Sequence, residues 1–174
     1  MKALGERLEV QVGYGAGRLR VEPAEGRMLY QASVRYDADG FDPVAEYSNG
    51  RLRLGVDNNR NGFDLGDHDH DGEGGNLTLR LGRGVPLDLD FEFGAATADI
   101  ELGGLSVRAL EVSTGASQTR IRFSQPNAIA MSTLEIDVGA AEFRASGLGN
   151  ANVREIRLNG GVADMQLDFD GEWR

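Results

Sequence analysis

A glycine returns at one fixed phase of an alternating apolar pattern, and that phase limits the folds open to this chain. Four units in the second half carry it: DLDFEFGAATADIEL around Gly94, ALEVSTGASQTRIRF around Gly115, TLEIDVGAAEFRAS around Gly139 and EIRLNGGVADMQLDF around Gly161. Apolar residues stand five and three places before each glycine: Leu89 and Phe91, Leu110 and Val112, Leu134 and Ile136, Ile156 and Leu158. Apolar or small residues stand four and six places after it: Ala98 and Ile100, Thr119 and Ile121, Phe143 and Ala145, Met165 and Leu167. The glycines are 21, 24 and 22 residues apart. EVQVGYGAGRLRV, with Val10, Val12, Gly15, Leu19 and Val21, is a fifth copy near the N-terminus.

Alternation at period two predicts strands with one buried face. Helical spacing is nowhere sustained, and 25 glycines in 174 residues would weaken any helix. Each unit therefore reads as strand, glycine turn, strand. It is too short for a propeller blade and has no helix for a leucine-rich repeat. The expected fold is all-β: a β-solenoid, parallel β-helix-like, with a coil of about 22 residues whose equivalent strands stack about 4.8 Å apart. The glycine would serve a corner, either by tolerating positive φ or by letting backbone stack closely on backbone. An antiparallel sandwich or meander with evenly spaced hairpins is the competing arrangement.

One domain is expected over residues 1–174, with the first repeat at 8–23, an insert at 28–82 and four further repeats at 87–170. Inside the insert, MLYQASVRY, VAEYSNG, RLRLGV and LTLRLG read as ordinary strands of an antiparallel sheet that packs on or extends the solenoid, with SNG as a hairpin turn. The insert is also where the charge collects. The chain carries a net charge of −10, and residues 37–73 alone hold ten acidic groups against three basic ones. Such acidity argues against nucleic acid as a partner. The absence of cysteine excludes disulfides, thiolate metal sites and a cysteine nucleophile. No apolar run approaches the roughly 18 residues of a membrane span, and MKALGERLEV has no apolar core of a signal peptide. The compartment is left open by these features.

The run GVPLDLDFEFGAATADIELGGLSVRALEVSTGAS, residues 84–117, resembles the signature of bacterial toast-rack domains, found in LiaF-like proteins named for cell-wall-active antibiotic responses. EVQVGYGAGRLRVEP, then LYQASVRYD, then the VPLDLD join are similar to the N-terminal half of that family in the same order. The resemblance implies a β-helix-like domain, commonly attached to membrane-spanning segments. It also implies a role in envelope-stress signalling, where some members restrain a sensor kinase. It implies no catalytic residues.

Two consecutive segments have the openings of calcium loops. Asp67, Asp69 and Asp71 precede Gly72 in D-x-D-x-D-G form, and Asp57, Asn59 and Asn61 precede Gly62 in D-x-N-x-N-G form. Calcium takes six to eight oxygens, and alternate side chains of a tight loop can converge on one ion. The rest of an EF-hand is missing: Asp64 and His68 in the first loop, and Gly74 and Thr78 in the second, occupy its apolar and glutamate positions. A calcium loop of another kind and a solvated acidic loop both fit. His68 and His70, two apart between aspartates, are the residues a transition metal would use.

No nucleophile–base set is visible, so no enzyme is expected. The outward carboxylates Asp99, Glu101, Glu111, Glu135 and Asp137 alternate with core residues, as on any solvated strand face. GYGAG at 13–17 is followed by a strand rather than the helix of a nucleotide loop. Three functions remain in view: a non-enzymatic interaction or scaffold domain meeting a protein partner, a calcium-dependent binding module, and a self-assembling element that stacks end to end. Trp173, next to last, either folds back over the final coil or marks an end that docks against another copy or a partner.

Overall fold

The computed structural model of the chain describes residues 7–36, 41–58 and 75–173. Twelve strands follow in order: β1 (Leu8–Pro23), β2 (Tyr30–Arg35), β3 (Phe41–Ser48), β4 (Arg51–Asn58), β5 (Asn76–Leu81), β6 (Pro86–Glu101), β7 (Ser106–Thr114), β8 (Gln118–Arg122), β9 (Met131–Val138), β10 (Glu142–Ser146), β11 (Val153–Gly160) and β12 (Asp164–Leu167). One 3₁₀ turn, Leu148–Ala151, lies between β10 and β11.

The architecture is all-β and solenoid-like. β1 and β6 pair in parallel along their full length, from Leu8 opposite Leu87 to Val21 opposite Ile100. Both bend midway from a front face to a back face. On the front, β7, β9 and β11 continue the parallel stack from the first half of β6. On the back, β8, β10 and β12 continue it from the second half. Irregular segments close a third side. There Leu102 N–H donates to Arg122 O at 2.8 Å, Phe123 N–H to Ser146 O at 3.0 Å, and Leu148 N–H to Asp168 O at 3.0 Å.

The register follows the glycine-phased pattern. Val10, Leu89, Leu110, Leu134 and Ile156 form one inward row on the front, and Leu19, Ala98, Thr119, Phe143 and Met165 form one on the back. Stacking like on like merges these rows into one core, with Phe91, Phe123 and Phe143 among its largest fully buried side chains. Thr119 is the polar exception. Its hydroxyl bonds Ser117 Oγ at 3.1 Å, and Ser117 bonds Thr114, so three buried hydroxyls satisfy one another.

The corner glycines are there for room. A β-carbon at Gly94 would lie 2.8 Å from Gly15 O, and one at Gly139 or Gly161 would lie 3.2 Å from the carbonyl oxygen of the glycine one coil before. None of the stacked corner glycines Gly94, Gly115, Gly139 and Gly161 has positive φ. Of the two roles open to the glycine in the sequence, close backbone approach is therefore the one it fills. A buried asparagine secures the third side. Asn127 Oδ1 accepts from Val107 N–H at 2.8 Å, and its amide donates to Val107 O at 2.7 Å, Ile129 O at 2.8 Å and Ala151 O at 3.2 Å.

The insert differs in part from its reading as an antiparallel sheet. β3 is antiparallel to β4 and β2 to β5, with Asn49 and Gly50 at positive φ in the hairpin turn between β3 and β4. β4 and β5, however, run parallel to β1, on the edge that β6 leaves open. Leu52 and Leu54 sit beside Val10 and Val12, and Leu77 and Leu79 beside Leu19 and Val21. They extend both faces by one layer. β2 and β3 then cover that layer, and the rings of Tyr30 and Tyr47 join them at 5.5 Å.

Candidate functional site

The fold fixes the inward rows and leaves the outward ones to chemistry. On the front, stacking puts Asp90, Glu111 and Glu135 in one row across β6, β7 and β9. Two residues further along the strands, Glu92, Ser113 and Asp137 form a second row. Five carboxylates from three successive coils thus meet on one patch. Arg157 reaches Glu135 at 3.6 Å, and Asn159 Nδ2 donates to Asp137 at 2.7 Å. Among the described residues no arginine lies within ion-pair distance of Asp90, Glu92 or Glu111.

The crowding shows in the acidities. Partial burial, then Glu92 and Glu9, hold the Asp90 carboxyl above the ordinary aspartate value. Burial, then Asp90, Glu135 and Asp137, do the same for Glu111. At its corner edge the patch meets a groove of about 880 Å³ floored by Gly94, Gly115 and Gly139 and walled by Glu92, Asp137 and Asn159.

Outside this patch outward carboxylates are paired: on the front Arg51 reaches Glu9 at 3.1 Å and Arg108 Nε donates to Asp88 at 2.8 Å, and on the back four more pairs stand. Arg80 pairs with Glu22 at 2.7 Å, Arg122 with Glu101 at 3.2 Å, Arg144 with Glu142 at 2.6 Å and Arg120 with Asp99 at 3.8 Å. Glu101 has a structural task as well. Its Oε1 accepts from Gly103 N–H at 2.7 Å and from Ser124 Oγ at 2.9 Å, tying the back face to the third side.

The proposed calcium ligands fall elsewhere. Asp57 belongs to β4, whose backbone places it opposite Asp42 of β3. Asn59, Asn61, Asp67, Asp69 and Asp71, with His68 and His70, lie outside the described residues. Among the described residues no group of three or more His, Asp or Glu side chains could hold a metal ion. Glu111, Glu135 and Asp137 are brought together on the front, while Asp99 and Glu101 lie on the back. Asp90 and Glu92 were missed, although they stand at the same phase of the repeat as Glu111 and Ser113. GYGAG lies within β1, as a strand that turns the corner. Trp173 is 66% exposed and stacks on Phe169 at 6.1 Å.

Comparison with known proteins settles the family. The family described as the N-terminal domain of toast_rack, DUF2154, matches residues 2–144. The chain belongs to the toast-rack family. No curated protein matches it. A crystal structure of a candidate cell adhesion protein from Clostridium sporogenes is similar with a TM-score of 0.72. That likeness covers 94% of this chain and 93% of that one at 14% identity, and so concerns the fold. Among the described residues of this toast-rack chain, no helix is long and apolar enough to cross a membrane.

Proposed function

We propose that this toast-rack domain is a non-enzymatic interaction module whose coil is the repeat of about 22 residues and whose front face meets a protein partner. The front carboxylates on a rigid sheet carry the reading: among the described residues Asp90, Glu92 and Glu111 have no arginine partner, and they suit a basic surface. The adhesion protein of like fold supports a binding role, and the family supports a setting at the bacterial envelope, including stress signalling. Photo-crosslinkers at Ser113 on the front and at Gln118 on the back, in bacteria that express the domain, test it. A discrete adduct from the front that disappears on reversing Glu92 and Glu111 to lysine is the expected result. Adducts from neither face, or equally from both after the reversal, would contradict it.

Calcium binding through Asp57, Asn59, Asn61, Asp67, Asp69 and Asp71 is a second proposal, resting on the D-x-D-x-D-G pattern. A calcium-specific rise in melting temperature, absent after all three of Asp67, Asp69 and Asp71 are changed to asparagine, is its signature. A ligand at about 100 times its Kd adds about 2.7 kcal/mol.

A further inference from the structure

The stack has two unlike ends. At one, β3 and β2 lie antiparallel over β4 and β5, and Pro43 inside β3 offers no N–H to a further strand. At the other, β11 and β12 close the sheet, and among the described residues no strand pairs with their outer edges. The inward row opens to solvent there. Leu158 is 41% exposed, whereas Ile136 beneath it in the same row is 0% exposed. Phe169, 43% exposed, and Trp173 extend this apolar surface along the third side.

We infer that this end is a self-association surface, on which β11 pairs antiparallel with β11 of a second copy about a two-fold axis at Ile156. The inference rests on the reading of the domain as an interaction module and names one partner for it. Charge selects the register. Glu155 and Arg157 project outward on the same side of β11, where Arg157 Nε donates to Glu155 at 2.9 Å. With the axis at Ile156, each Glu155 opposes Arg157 of the second copy, twice over, and Ile156 meets its own counterpart. Moving the axis to Arg157 would set two guanidinium groups face to face. The same rotation exchanges the back face with the third side, so that Met165 and Leu167 of β12 come over Phe169 and Trp173 of the second copy. An isologous contact of this kind closes at two copies. A head-to-tail filament would instead set β11 against the outer edge of β3, which Pro43 interrupts.

Sedimentation equilibrium of the chain from about 1 to about 100 µM, the range where modest interfaces dissociate, is the test. The mass should rise towards twice the 18.7 kDa of one chain. Arg157→Glu and Glu155→Arg should each weaken self-association roughly tenfold, because each places like charges opposite one another twice. An equimolar mixture of the two variants should recover it, since both cross-strand pairs are then complementary. Trp173→Ala, on the exposed tail, should weaken the dimer while the melting of dilute monomer stays unchanged. A monomer over the whole range overturns the inference, and so does a dimer indifferent to both charge changes and to Trp173→Ala. A monomer that still gives the front-face adduct overturns this inference alone, whereas a dimer without that adduct counts against the front-face partner.

Discussion

The front and back faces hang from one core and turn through one glycine corner, yet the centre of the front treats charge differently from the back. On the back, arginines stand beside Glu22, Asp99, Glu101 and Glu142, and Glu101 also holds backbone of the third side. On the front, Asp90, Glu92 and Glu111 crowd one another without an arginine among the described residues. Stacking in register fixes the inward residue of every strand but only aligns the outward ones. Like therefore falls on like outside as well as inside. Inside, that gives burial; outside, it gives repulsion unless the sequence alternates sign. On the back an arginine stands beside each of Glu22, Asp99, Glu101 and Glu142. On the front Arg51, Arg108 and Arg157 do the same for Glu9, Asp88 and Glu135, and among the described residues Asp90, Glu92 and Glu111 have none. At these three the stacking of like on like is thus left without an arginine partner from the described residues.

The largest test breaks both faces at once. Gly94→Val forces a branched side chain against Gly15 backbone and should cost about 3 kcal/mol, lowering the melting temperature by roughly 10 °C. A change of a degree or two would mean that the corner has slack. Removing Asn127, which bonds three segments from within the core, should cost about 2 kcal/mol on replacement by alanine, read from urea unfolding. The next variants separate the faces. Glu101→Gln on the back should lose about 1 kcal/mol, because a charged acceptor of three donors becomes neutral. Glu111→Gln on the front should leave stability unchanged or raise it by a few tenths of a kcal/mol, as expected for an exposed site relieved of repulsion.

The smallest effect is one of pH. A carboxyl whose folded pKa is raised binds its proton more tightly in the folded state. Its contribution to stability is therefore fully present below the unfolded value and is lost as pH rises through the folded one. Asp90 and Glu111 should make the domain slightly more stable as the solution is acidified from neutrality through their raised values. Melts of Glu111→Gln over the same range should show a shallower dependence. An equal slope would mean that Glu111 does not feel its neighbours.

Much of this was legible in the sequence because the fold repeats one short instruction. Residues five and three before each glycine, and four and six after it, became the inward rows. That the insert could extend the solenoid was legible, but the parallel course of β4 and β5 was hidden because the instruction is split there. Leu52 and Leu54 supply its first half, and Leu77 and Leu79 supply the second only after the acidic segment. Antiparallel partners β3 and β2 then made the halves look like a separate antiparallel sheet. The front patch was half legible. Each carboxylate alone looks like an ordinary solvated residue, and only the stacking of Asp90 beneath Glu111 and Glu135 turns them into a surface. Asn127 gave no signal, since its value lies in three carbonyls brought to it from 20, 2 and 24 residues away.

The separation of fold from function is tested most directly by neutralising the front face in one variant, Asp90→Asn, Glu111→Gln and Asp137→Asn, and measuring its melting temperature beside its front-face adduct in cells. The account predicts a melting temperature equal to or above that of the parent chain and loss of the adduct. A fall of several degrees would make the carboxylates part of the fold, and an undiminished adduct would place the partner elsewhere.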